Sequence, residues 1–284
     1  MNRALQTSLL LVLIFLDGCT SPSKLASVAT VIPQDIKPIL NQTRDAAVEI
    51  TSASGNSKGT GFFIAPETIA TCFHVVANSA NSNGNISLKI FQDIKIKTNR
   101  GDILDAVVIS IPNQKDITPL QYDFAVLRLT KKPTVPINPL PIAPSTYKTE
   151  VGDDIIFSGY PLATPAMVTH KGMISGISTN GEIICIEAPI NKGNSGGALC
   201  NISGQVIGII SMREGGISVG LMAMTDYIEQ TSKHGSVSLM SVDPLQAIRE
   251  MTLTLNQYIS TGIGYARSVQ YFRNYLQNHP DMLK

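Results

Sequence analysis

Tryptophan is missing from these 284 residues, aromatic residues make up only 6% and charged residues only 15%. Each shortage excludes something. With 43% hydrophobic residues against so little charge, the chain lacks the composition of a disordered segment and can bury a sizeable core. Lys and Arg number 22 against 21 Asp and Glu, and the net charge of +1 is spread without basic runs. That leaves no electrostatic footprint for nucleic acid. Long apolar runs are scarce too. The one that stands out, Leu9 to Leu16, has eight residues, far short of the roughly 20 that a membrane-spanning helix needs. What the chain has in quantity is glycine (22) and proline (16). With so few aromatics, that balance points to many short strands joined by turns.

The apolar run has the length of a secretory signal's core, with Arg3 and the amino terminus as its positive flank. It ends in Leu16-Asp17-Gly18-Cys19, which resembles the bacterial lipoprotein signal, with Cys19 as the lipid acceptor. Asp17 departs from that pattern, and an ordinary cleaved signal with its site near Ser27-Val28-Ala29 is the alternative. Lipidation at Cys19 would tether the protein to a membrane surface without spanning it. Cys72, Cys185 and Cys200 remain, an odd number that leaves at least one free thiol. Cys185 and Cys200 fall on segments expected to be neighbouring strands. A bridge between them and three buried reduced thiols are both open.

Residues 1–19 are thus expected to be a signal and 20–42 a stalk. Beyond them the chain reads as strand after strand: Ala46-Ile50, Gly59-Ile64, Ile69-Phe73, Ile86-Ile90, Ile103-Ser110 and Phe124-Leu129. Between Lys131 and Pro144 stand five prolines, which cannot supply the donors of a central strand, so 131–150 is expected to be a linker. A second series follows: Asp154-Ser158, Met167-Ile177, Glu182-Glu187, Ala198-Cys200 and Gln205-Ser211. The reading is mainly β, with two six-stranded antiparallel barrels at 43–130 and 151–284, and a cleft between them suited to a substrate. The last barrel strand has two candidates, Gly216-Met222 and Gly262-Ala266. The second is preferred, which makes 217–260 a partly helical insertion; Asp243-Pro244 is a good helix start, and a further helix follows near Tyr271-Leu276.

One run carries chemistry: Gly193-Asn194-Ser195-Gly196-Gly197. Hydrolysis by a serine needs a base beside the hydroxyl, a carboxylate to orient the base, and donors for the oxyanion. Small residues around Ser195 let backbone N–H groups converge without side-chain obstruction. The run also satisfies the G-x-S-x-G elbow of α/β-hydrolases. An elbow leads into a helix, whereas Ala198 to Ser211 reads strand, turn, strand. An elbow's Asp and His follow the Ser, yet His234 and His279 both lie in polar surroundings. His74 and Asp123 lie upstream in apolar strand contexts, and the order His, Asp, Ser belongs to the other serine-hydrolase template.

Three segments then resemble the trypsin-fold peptidases, especially their bacterial HtrA-type branch. Gly59-Thr60-Gly61-Phe62-Phe63-Ile64 with Thr71-Cys72-Phe73-His74-Val75-Val76 is similar to that family's approach to its histidine. Tyr122-Asp123-Phe124-Ala125-Val126-Leu127 is similar to its aspartate strand, and Ile190-Asn191-Lys192-Gly193-Asn194-Ser195-Gly196-Gly197-Ala198-Leu199 to its nucleophile turn. The resemblance covers about residues 45 to 211. It implies a His74-Asp123-Ser195 triad acting through an acyl-enzyme, and an oxyanion hole at Gly193, Asn194 and Ser195. It also implies a specificity pocket at Ile190, Ile210, Ser211 and Met212, apolar and without an acid to greet Lys or Arg. Asn194 stands where digestive relatives have an Asp that pairs with a newly cut amino terminus, so no such zymogen step is expected. The residues after Ser211 are too few for the PDZ domain that HtrA-type enzymes usually carry. No cofactor and no metal are implied. The expected partners are a protein or peptide substrate and, through Cys19, a bacterial envelope membrane facing the periplasm or exterior. The alternatives are a catalytically silent binding or scaffold lipoprotein on a protease fold and, more weakly, an esterase.

Overall fold

A computed structural model describes residues 35–82, 85–112, 122–162, 164–213, 219–233, 235, 238, 242–258 and 263–283. Cys19 and His234 lie outside them. Two closed antiparallel barrels of six strands carry the fold. The first runs in the order β1 (Ala47–Ser52), β2 (Ser57–Ala65), β3 (Thr68–Thr71), β8 (Ala125–Leu129), β7 (Ile103–Ser110) and β6 (Lys95–Thr98). The second follows β10 (Val168–Ile177), β11 (Ile183–Glu187), β14 (Ile263–Ser268), β13 (Val206–Arg213), β12 (Ala198–Asn201) and β9 (Asp154–Gly159). Closure leaves neither barrel with an open sheet edge. Alternation decides which residues enter: Ile96 and Thr98 of β6 are buried while Lys95 and Lys97 between them face water.

Two expectations for the first barrel need correction. Ile86–Ile90 is not one of its strands: β5 (Asn85–Ile90) pairs with β4 (Ala77–Ser82) as a separate hairpin, and β6 takes the barrel position. The expected stalk also ends early, because Lys37–Ala46 forms helix α1 with a proline in its first turn. Thr43 and Ala46 turn inward, and Ser158 of β9 donates to Thr43 Oγ1 at 3.3 Å. The three expected thiols are also settled by topology. Cys185 on β11 and Cys200 on β12 are three strands apart either way round the second barrel, so they are not neighbours. Cys72, Cys185 and Cys200 form no disulfide.

From the first barrel the proline-rich stretch runs as irregular chain that is nonetheless held. Leu140 N–H donates to Phe63 O (2.9 Å), and Ala143 N–H and Val206 N–H bond to Val206 O and Pro141 O at 2.9 and 2.8 Å. After β13 come α3 (Val219–Ser232) and α4 (Pro244–Tyr258), which pack on one another, before the chain returns as β14. Helix α5 (Val269–Asn278) then buries Val269, Phe272 and Leu276, the spacing of one helical face. Phe124 meets Phe272 and Tyr275 edge to face, with centroids 5.2 and 5.1 Å apart. A 3₁₀ turn, Pro280–Leu283, brings Met282 O to the buried Thr68 hydroxyl at 3.0 Å. One apolar cluster therefore runs from Ile50, Phe62 and Leu127 through Phe272 to Cys200 and Ile209, joining both barrels.

Candidate active site

Strand β3 ends at Thr71, and extended backbone at Cys72 feeds a single helical turn, α2 (Phe73–Val76). His74 sits in that turn rather than on a strand. The first N–H groups of a helix lack internal partners. His74 N–H finds Asp123 Oδ1 at 3.2 Å, so the carboxylate anchors the turn as well as the ring. His74 Nδ1 lies 2.8 Å from Asp123 Oδ2 and 3.0 Å from Oδ1. An ionised carboxylate only accepts hydrogen bonds, so Nδ1 carries the proton and Nε2 keeps a free lone pair. Asp123 is 2% exposed, whereas the His74 side chain is 42% exposed. The imidazole is open to solvent and the carboxylate that holds it is not.

A β-bulge supplies the third donor. In the β13–β14 ladder Ile210 pairs with Ala266 and Met212 with Tyr265, and the register shifts between them. Ser211 is the extra residue, and a bulge re-aims its side chain: Ser211 Oγ donates to Asp123 Oδ2 at 2.5 Å. Burial by itself would raise the Asp123 pKa. The hydrogen bond and charge of His74, with Ser211 and the His74 N–H, outweigh burial and hold the carboxyl below its ordinary 3.8. For His74, burial works downward, but the Asp123 hydrogen bond and charge win and lift the imidazole above 6.5.

The Ser195 turn is built on two glycines that no other residue replaces easily. Gly193 has φ +97° and Gly196 φ +89°, in the region that L side chains avoid. A Cβ on Gly196 would lie 2.1 Å from Thr60 O, and one on Gly193 2.3 Å from Tyr160 O. The turn is laced to both barrels. Gly196 N–H donates to Ile210 O (2.7 Å), Ile210 N–H to Gly197 O (2.9 Å) and Thr60 N–H to Ser195 O (2.8 Å). Lys192 O accepts from Leu162 N at 2.8 Å. In a trans peptide the N–H points opposite to the C=O, so Gly193 N–H is turned away from Leu162. Among the described residues neither Gly193 N–H nor Ser195 N–H donates to a protein acceptor. Asn194 N–H does, to Asn191 O at 3.0 Å, which removes Asn194 from the expected oxyanion donors.

Other expected contacts differ as well. Ser195 Oγ donates to Ser211 O at 3.1 Å, and among the described residues no hydrogen bond joins it to the His74 ring. Ile190 and Ile210 are 1% and 0% exposed within the second barrel's apolar cluster. Ile190 packs so closely on β14 that a Cβ on Gly264 would meet its Cδ1 at 2.1 Å. With Ser211 turned to Asp123, three of the four residues expected to line a specificity pocket are instead core or support; the Met212 side chain lies outside the described residues. The Asn194 side chain is 1% exposed, and neither amide atom has a hydrogen-bond partner. Cys72 Sγ, His74 and Asp123 bring potential metal ligands within 4.8 Å of one another. But the Cys72 thiol donates to Ile210 O at 3.1 Å. Burial first, then Asp123, push its pKa well up, so the sulfur stays protonated and is a poor ligand.

The sequence model of the trypsin-like peptidase domain matches residues 59–209, a stretch that includes His74, Asp123 and Ser195. The chain belongs to that family. As a trypsin-like peptidase it is 30% identical over 189 residues to the serine protease Rv3671c of Mycobacterium tuberculosis, with 61% of this chain and 41% of that one aligned. It is 37% identical over 139 residues to the periplasmic pH-dependent serine endoprotease DegQ of Escherichia coli, with 46% and 28% aligned. It thus spans less than half the length of these relatives. The crystal structure of a serine endoprotease from Yersinia pestis shares the fold, at TM-score 0.54 and 19% identity over 89% of this chain and 68% of that one.

Sequence reasoning misses Thr60 in this trypsin-like site. In the sequence it reads only as part of the strand motif, yet its hydroxyl reaches across the barrels to Gly193 O at 2.6 Å. The signal is present as a hydroxyl residue between two glycines on a strand buried on both faces; its partner, 133 positions away, is not.

Proposed function

We propose that the protein is a serine endopeptidase in which His74, Asp123 and Ser195 form the catalytic triad. The observation that carries this is the buried Asp123 carboxylate holding Nδ1 of a partly exposed His74 at 2.8 Å. Rotation about the Ser195 side chain moves Oγ from Ser211 O toward Nε2. Oγ then attacks the scissile carbonyl while its proton passes to Nε2. Asp123 stabilises the imidazolium, and the free N–H groups of Gly193 and Ser195 receive the oxyanion. The leaving amine takes the proton from Nε2, and water completes hydrolysis of the acyl-enzyme by the same route. Ile190 and Ile210, buried in the second barrel's core, place no acid near the Ser195 turn to meet Lys or Arg, which supports cleavage after small or medium apolar residues. A peptide-library profile dominated by Arg, Lys or Glu would refute that preference.

A fluorophosphonate probe tests the central claim. It should label the wild-type protein at Ser195 and leave Ser195→Ala unlabelled, and a peptide amide should be cleaved by the wild type alone. Absence of labelling would favour the silent-scaffold reading, for which the Ser195 Oγ bond to Ser211 O is the one supporting contact.

The site of action is proposed to be the bacterial cell envelope, with lipidated Cys19 as the anchor. Support comes from Leu16-Asp17-Gly18-Cys19 and from the periplasmic relative. No helix among the described residues is long and apolar enough to cross a membrane. Cys19→Ser should release the protein from the membrane fraction; retention would overturn the anchor.

A further inference from the structure

We propose that Thr60 is a positioning residue that holds the oxyanion-binding turn open from the opposite barrel. This rests on the serine-peptidase reading above. Thr60 lies on β2 of the first barrel and is 0% exposed. Its hydroxyl donates to Gly193 O at 2.6 Å and accepts from Tyr160 N at 3.0 Å. Its backbone N–H donates to Ser195 O at 2.8 Å, and its own carbonyl accepts from Thr71 Oγ1 at 2.7 Å. All four of these hydrogen bonds converge on one buried residue, and two of them grip the turn on either side of Asn194.

The turn needs such a grip. Gly193 adopts a backbone conformation open to few residues but easy for glycine to leave. Its N–H lies in the Lys192–Gly193 peptide plane. Leu162 N–H on Lys192 O holds that plane, and the Thr60 hydroxyl anchors the same segment by accepting from Tyr160 N–H. The adjoining plane, between Gly193 and Asn194, is held by the Thr60 hydroxyl on Gly193 O and by Asn194 N–H on Asn191 O. The side chain within the turn does not help, because the Asn194 amide is buried without a partner. Without the hydroxyl, both Gly193 O and the Tyr160–Leu162 segment that holds Lys192 O lose their tie to the first barrel, and the donor at Gly193 loses its aim. A donor that is misdirected stabilises the ground state no worse, because the carbonyl of a bound peptide needs little from it. It fails when charge develops on the oxygen.

Thr60→Val keeps the shape of the side chain and removes both hydrogen-bonding functions; Thr60→Ser keeps them. Removal of an oxyanion donor outright costs about 10²–10³-fold in kcat, so loss of its aim should cost roughly 10–100-fold. In Thr60→Val, kcat for a peptide amide should fall by that factor with KM within about twofold. Thr60→Ser should recover most of the loss. Affinity for a peptide with a C-terminal alanine boronate, whose tetrahedral adduct places an oxygen in the hole, should fall in parallel with kcat. Binding of the uncleaved peptide to Ser195→Ala should be the same whether or not that protein also carries Thr60→Val. Should Thr60→Val not fold, Thr60→Ala carries the same comparison. Unchanged kcat in the folded variant, or an equal loss of boronate and peptide binding, would overturn the proposal. A wild type that neither cleaves peptide nor reacts with fluorophosphonate refutes the peptidase reading, and this inference falls with it.

Discussion

Replacing Asp123 by Asn tests the arrangement of the site most severely, because it keeps the shape and changes what the group can donate. Asp123 receives three donors: the His74 backbone N–H, the His74 Nδ1–H and the Ser211 hydroxyl, at 3.2, 2.8 and 2.5 Å. A carboxylate accepts all three through its two oxygens. An amide accepts through one oxygen, and its NH₂ must face a lone pair. If the Asn oxygen stays with His74 N–H, the NH₂ meets Ser211 Oγ and His74 Nδ1. The hydroxyl can turn to accept, but the ring can accept only by moving its proton to Nε2. Nε2 then has no lone pair for the Ser195 proton. The expected loss in kcat is about 10⁴-fold, or roughly 5.4 kcal/mol at the transition state. The pH profile should move too. In the wild type His74 titrates above 6.5 because of Asp123, so kcat/KM should fall on acidification with a midpoint above pH 6.5. Without the carboxylate only burial remains, and the midpoint should move below that value. Stopped-flow measurement of acylation from pH 5 to 9, with melting temperature as a control for folding, decides it. A variant retaining more than a tenth of wild-type kcat would refute the orienting role of Asp123.

Three further changes probe the support around the proposed triad. Ser211→Ala removes a hydrogen bond to a buried carboxylate and should cost about 1.5–3 kcal/mol in urea unfolding at pH 7. Asp123 is held below its ordinary pKa, so that stabilisation exists above about pH 4 and fades as pH falls through the folded-state value. The difference between the two proteins should shrink in acid, and a constant gap would show that Ser211 acts elsewhere. Gly196→Ala sets a Cβ 2.1 Å from a backbone carbonyl at φ +89° and should abolish fluorophosphonate labelling while lowering the melting temperature. Gly264→Ala should destabilise by about 1–3 kcal/mol through overpacking on Ile190. Adding Ile190→Ala should return part of that loss, a non-additive coupling readable in a double-mutant cycle.

Strand positions are legible wherever apolar residues alternate or run together between glycines, which is why β2, β8, β9 and β13 fall where the pattern puts them. Lys95–Thr98 is not. Four residues with two lysines give too short a period to recognise, although the alternation is there. Ala77–Ser82 is built of small polar residues with little strand preference, so its pairing with Asn85–Ile90 is invisible in the sequence and that segment looks like a barrel strand. At the site, the motifs point to His74, Asp123 and Ser195; the structure brings His74 onto Asp123, while Ser195 Oγ rests on Ser211 O. Side-chain direction is a different matter. Ser211 looks like a pocket residue until a one-residue register shift turns it, and register is a property of two strands. The Gly193–Thr60 bond likewise belongs to two distant segments brought together only by barrel packing.

The route of the chain after β14 has a consequence for how the protein is made. Phe272, Leu276 and Met282, from α5 and the turn after it, belong to the apolar cluster that includes Ile50, Phe62 and Leu127, and Thr68 and Arg128 of the first barrel hold Met282 O. The half encoded first is completed by residues translated after every described strand of the second barrel. During synthesis the His74–Asp123 pair therefore emerges on a barrel whose flank is still bare. A nascent chain arrested before residue 269 should remain exposed to chaperones and to neighbouring proteases, and proteolytic resistance of the first half should appear only when α5 is released from the ribosome.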